Sequence, residues 1–166
     1  MLFQASVVEL ISIPGVGEAT AARIKSALAL SRRLSMTTMD RTTISSPADA
    51  AALCSDMSTF DVEHLRVIMR NTRGMVLGMA DVYKGSVNSS QVRVAEVFRP
   101  ALQRNAPSII IAHNHPGGAS EASPDDIAVT RVLVQAGKLL SIEVLDHLIL
   151  GHGNFCSLKE KGLGFS

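Results

Sequence analysis

The stretch SIIIAHNHPGG (residues 108–118), followed by SPDD (123–126), decides the fold of most of this chain. Ile109-Ile110-Ile111 is a continuous apolar run of the kind found in strands buried on both faces. Pro116 cannot donate to a ladder and ends the strand, and Gly117-Gly118 let the backbone turn sharply. Ser123-Pro124 reads as an N-cap followed by proline in the first helical turn, opening a helix over 124–140. EVLDHLIL (143–150) then reads as another strand.

Working outward, Ser46-Pro47 opens an earlier helix through about residue 58. Two β-rich runs, 64–69 and 75–83, are split by Asn71-Thr72-Arg73-Gly74, which predicts a hairpin. Residues 92–105 have helical spacing, with Val94, Val97, Phe98, Ala101 and Leu102 on one face. The larger module, 47–166, is therefore mixed α/β, with helices interleaved among strands. Residues 1–34 read as helix, tight glycine turn, helix. SMTTMDRTTISS (35–46) has no apolar period and reads as a linker.

Length and composition agree with this division. A chain of 166 residues, 46% hydrophobic and 19% charged, suits one ordinary domain plus a small appendage, and excludes a disordered or collagen-like chain. Its 16 basic and 15 acidic residues create no global field, so nucleic-acid binding would need a local patch. Cys54 and Cys156 are far apart and lack CxxC spacing, which favours a reduced, cytoplasmic setting. There is no secretory leader pattern, and no apolar run approaches the roughly 20 residues of a membrane span. No membrane partner is expected.

His113 and His115 stand two apart on a strand, so both side chains point the same way and can converge on one metal ion. Asp126, at the start of the next helix, makes a third ligand, which leaves a fourth tetrahedral position open as in catalytic zinc sites. Ser123 with Asp126 three residues later also reads as a capping box, and both Asp125 and Asp126 complement the helix dipole.

His113-x-His115-Pro116, seven residues, Ser123, two residues, Asp126 resembles the metal motif of the JAMM (MPN/JAB) metallopeptidases. More narrowly, HNHPGG, SPDDIAVTRVLVQAGKLL and LDHLILG resemble the bacterial RadC proteins over nearly all of 47–161. The resemblance implies an MPN/JAB-like sheet flanked by helices, with Zn2+ bound by His113, His115 and Asp126. It implies that Ser123 helps hold the water or the developing oxyanion. It places a catalytic glutamate at Glu63, in DVEHLRVIMR, as the group that takes and returns the proton. Gly117 and Ala122 depart from residues common in the RadC loop, and neither is an expected ligand. Glu96 lies on a helix whose apolar face is elsewhere. His147 reads as a core histidine and His152 as an exposed turn residue.

Leu10, Ile13, Gly15, Val16, Gly17, Ala21 and Ile24 resemble a helix-hairpin-helix motif at every fixed position. In that motif the glycines bring backbone N–H groups close to a phosphate, and Arg23 and Lys25 would add charge. One hairpin has a small footprint, so weak non-specific DNA contact through Gly15, Gly17, Arg23 and Lys25 stands beside a packing or partner-binding role.

Three functions follow from these readings. The first is a zinc-dependent hydrolase of a peptide or isopeptide bond, which the RadC resemblance associates with DNA repair. The second is a DNA nuclease using the same zinc centre, and the third a non-enzymatic, DNA-associated adaptor. A homodimer is compatible with all three.

Overall fold

A computed structural model describes residues 6–39, 42–85 and 92–165. The chain divides into two compact units, Met1–Asp40 and Arg41–Ser166.

In the first unit, helix α1 (Val7–Ile11) starts at a full capping box: Ser6 Oγ accepts from the Glu9 amide, and the Glu9 carboxylate accepts from the Ser6 amide. A tight turn follows, in which the Val16 amide donates to the Ile13 carbonyl. Gly15 sits there at φ +85°, a conformation that favours glycine. Helix α2 (Glu18–Met39) packs back on α1, burying Leu10 and Ala21. The helix runs through Met39, so residues 35–39 of the expected linker are helical. Ser and Thr are mediocre helix formers, but with no Gly or Pro between Gly17 and Pro47 no strong helix breaker stops propagation through Met39.

The second unit is built on a five-stranded sheet in the order β2-β1-β3-β4-β5. Its strands are β1 (His64–Arg70), β2 (Val76–Lys84), β3 (Ser108–Asn114), β4 (Glu143–Leu150) and β5 (Phe155–Ser157). β1 pairs antiparallel with β2 and β3, β3 runs parallel to β4, and β5 closes the edge antiparallel to β4. The helices are α3 (Pro47–Leu53), α4 (Val94–Gln103) and α5 (Pro124–Leu140). Helix α5 makes the crossover that a parallel β3–β4 pair requires.

β3 is buried along its whole length, as its unbroken apolar run predicts. Leu65, Val67, Met69, Ile109 and Ile111 pack with Val97, Phe98 and Ala101 of α4 and Val129 and Leu133 of α5. The hairpin between β1 and β2 forms at 71–74, where Asn71 Oδ1 accepts from the Arg73 and Met75 amides.

Two local expectations change here, and one strand was not expected. The helix from Pro47 ends at Leu53, and Ser55–Thr59 continues as a 3-10 helix. Leu102, expected on the apolar face of α4, is 51% exposed because it lies at the rim of that stripe. β5, three residues long, is too short to carry a periodic signal.

Arg66 fixes the segment leading into β1. Its buried guanidinium holds Asp56 through two bonds, of 2.6 and 2.9 Å, and also donates to Asp81 on β2. The 3-10 turn, β1 and β2 are thereby tied at one point. Cys54 and Cys156 are buried and unpaired.

Candidate metal centre

The end of β3 and the start of α5 bring His113, His115 and Asp126 together, with one ligand atom from each lying within 4.8 Å of the others. His113 and Asp126 are each 1% exposed. His113 Nδ1 lies 3.0 Å from Asp126 Oδ1, and His115 Nε2 lies 3.5 Å from Asp126 Oδ2. The two imidazoles meet edge to face, 4.8 Å apart, with His113 on β3 and His115 one residue past its end.

The donor set fits a divalent cation. Both ring nitrogens of His113, and Asp126 Oδ1, are buried without a hydrogen-bond partner. Native interiors rarely leave such atoms unsatisfied; a neutral imidazole offers one lone pair, so one His113 nitrogen can join Asp126 Oδ1 in ligating an ion, as the 3.0 Å between Nδ1 and Oδ1 allows. His115 Nδ1 lies 3.0 Å from the Ala119 carbonyl, which can only accept, so that nitrogen carries the proton and Nε2 presents its lone pair to the cluster.

Electrostatics agree. Burial alone would raise the Asp126 carboxyl pKa, but the histidines and Ser123 outweigh it and hold the group well below the usual carboxylate range. Hydrogen bonding to Asp126 raises His115 above its ordinary value of 6.5 despite partial burial. Protons therefore compete for His115 at a higher pH than for an ordinary histidine. Metal affinity is expected to weaken as pH falls, starting above pH 6.5. Chelator-competition titrations between about pH 8 and pH 6 check this, and a flat profile would contradict it.

Ser123 forms the capping box of α5. Its Oγ accepts from the Asp126 amide (3.1 Å) and donates to Asp126 Oδ2 (2.7 Å), and its own amide donates to the same oxygen (2.7 Å). The cap and the candidate ligand are thus one device, in which the cap sets the carboxylate's orientation. With its proton on Asp126, the Ser123 hydroxyl would have to release that bond before donating to an oxyanion.

Glu63 precedes β1, and its Oε2 lies 3.7 Å from His113 Nε2. The antiparallel register that pairs Leu65 with His113 brings it there. Glu96 pairs with Arg93 on its own helix at 3.2 Å, and His152 is exposed.

Sequence reasoning missed the support behind Asp126. The Thr130 hydroxyl donates to the Asp126 carbonyl at 2.6 Å and lies 2.7 Å from His147 Nδ1. One hydroxyl has one proton, so Nδ1 of His147 carries the hydrogen of the second bond. Burial, with His113 nearby, pushes the His147 pKa down to about 3 and keeps the ring neutral. Its ring stacks 6.3 Å from that of His113. The i, i+4 spacing of Asp126 and Thr130 was available as a signal, but its coupling to His147 depends on the α5–β4 packing.

At the N-terminus, Gly15 and Gly17 lie in the turn before α2, Arg23 is exposed and Lys25 half-buried. Glu18 occupies the first turn of α2.

The sheet, its crossover helix and the trio define a JAB-type domain, and comparison with known proteins says which. Residues 44–163 match the RadC-like JAB domain, and residues 2–27 match the helix-hairpin-helix motif. The chain is 50% identical over 153 residues to a UPF0758 protein of Chloroflexus aggregans, covering 91% of this chain and 67% of that one. A UPF0758 protein of Moorella thermoacetica is 49% identical over 160 residues, covering 96% and 70%. The chain belongs to the RadC-like JAB domain family. Among the described residues, no helix is long and apolar enough to cross a membrane.

Proposed function

We propose that this chain is a zinc-dependent hydrolase of the JAMM metallopeptidase type, acting on a peptide or isopeptide bond. The observation that carries the reading is the cluster of His113, His115 and Asp126, in which the His113 ring nitrogens and Asp126 Oδ1 are buried without a hydrogen-bond partner, with the Glu63 carboxylate 3.7 Å from the His113 ring. Zinc, when bound, supplies a Lewis acid that polarises a carbonyl and acidifies water. Glu63 is the proton carrier: its carboxylate takes the proton from the attacking water and returns it to the leaving nitrogen. Ser123 and the Thr130–His147 pair hold Asp126 in place from its side chain and its carbonyl. The unpaired, buried cysteines support a reducing, cytoplasmic setting.

The helix-hairpin-helix match favours a second reading, in which the same centre acts on DNA held through Gly15, Gly17, Arg23 and Lys25. Against it, Glu18 puts a negative charge in the first turn of α2, where a phosphate would otherwise be favoured. An adaptor role, or an association with DNA repair, would rest on that hairpin and on the family resemblance.

The deciding experiment is metal analysis of protein purified without added metal, followed by incubation with linear peptides, lysine-linked isopeptides, and branched and single-stranded DNA. About one zinc per chain and cleavage of an amide substrate are expected. DNA cleavage abolished by His113→Ala would install the nuclease reading. Zinc loading without any hydrolysis would install the adaptor.

A further inference from the structure

Asn114 separates the two histidines in sequence, is 1% exposed, and turns its side chain to the opposite side of the strand from theirs. The β1–β3 ladder ends with the pair Leu65 and His113. Beyond that pair the Asn114 side chain takes over from the backbone. Its Oδ1 accepts from the His64 amide at 2.7 Å, and its Nδ2 donates to the Val62 carbonyl at 3.1 Å. Those two groups flank Glu63 on either side. The Glu63 carbonyl itself accepts from the Gly85 amide at 2.9 Å.

Among side chains of this size, only an asparagine amide both donates and accepts in one plane. Aspartate keeps the acceptor and loses the donor, and alanine loses both. The two bonds join segments 50 and 52 residues apart, so they are tertiary ties and not local turn chemistry.

We propose that Asn114 is a positioning residue for Glu63, clamping the peptide that carries the carboxylate to the end of β3, which carries His113 and leads directly into His115. The proton carrier and the metal ligands then share one rigid frame. This rests on the roles given above to Glu63 and the trio. A misplacement of about 1 Å at such a group can cost about 100-fold in rate, which is what the clamp prevents.

The test uses Asn114→Ala and Asn114→Asp in the full chain. In metal-free protein, His64 amide exchange read by NMR is expected to speed at least about 10-fold in Asn114→Ala and to stay slow in Asn114→Asp, which keeps the acceptor. Zinc affinity by chelator competition stays within about 3-fold of wild type in Asn114→Asp, because no ligand is removed. Acetohydroxamate, whose hydroxyl proton a neighbouring carboxylate can take, reports the coupling. Its affinity for zinc-loaded protein falls about 10-fold in Asn114→Asp and in Glu63→Gln, and falls no further in the double variant. Additive losses in the double variant, or His64 exchange unchanged in Asn114→Ala, overturn the proposal. If Asn114→Ala does not fold, the Asn114→Asp cycle decides. A wild-type chain that takes up no zinc overturns the metal reading instead, and His64 exchange then decides the clamp alone.

Discussion

Glu63→Gln is expected to keep its full complement of metal while turnover falls by about 10²- to 10⁴-fold, the range for removal of a positioned general base. The substitution preserves size and leaves the backbone bonds around residue 63 intact, including the one from Gly85. It removes the capacity to take and return a proton at Oε2. Glu63 lies outside the trio and approaches the His113 ring from the segment leading into β1, so its replacement removes no member of the trio. Metal content by mass spectrometry, measured beside kcat on a substrate the wild-type chain cleaves, separates the two effects. Equal turnover would remove Glu63 from the mechanism, and metal lost together with turnover would make it a ligand.

Asp126→Ala is expected to weaken metal binding by at least about 100-fold, more than the loss of an outer-shell partner usually costs. It should also lower stability by about 1 kcal/mol, because the same carboxylate completes the capping box of α5. These two losses can be separated. Asp126→Asn keeps an oxygen that can accept from the Ser123 amide but discards the charge that favours a cation. It should therefore melt closer to wild type than the alanine variant while still losing the metal. Chelator competition and thermal unfolding of both variants check this, and an Asp126→Asn protein with wild-type zinc affinity would remove Asp126 from the ligand set.

How much was legible in the sequence depends on the distance over which each signal acts. The bounds of α5 and β4 coincide with the expected 124–140 and 143–150, because capping residues, prolines and apolar period act within a few residues. His113 near the end of a strand and Asp126 at the next helix start follow from the same short-range rules, although β3 stops at Asn114, one residue short of the expected His115. The helical continuation of α2 through Met39 escaped them, since composition rich in Ser and Thr suggests a break without imposing one.

The long-range features required the fold. Glu63 comes near the His113 ring only because β1 and β3 pair antiparallel with Leu65 opposite His113, and nothing local to DVEHL announces that register. The same holds for the Thr130–His147 pair behind Asp126. It holds also for Gly151, where a Cβ would collide with Asn154 Oδ1 and the Gly118 carbonyl of the neighbouring turn. By itself, then, the sequence determined the elements, the alternation of their faces and the ligand types, because backbone period and chain stiffness are properties of neighbouring residues. Tertiary structure alone decided which carboxylate meets the trio, where the Ser123 proton goes and which side chains brace Asp126. Those depend on strand register and helix–sheet packing, where hydrogen-bond directionality and close packing select among partners tens of residues apart.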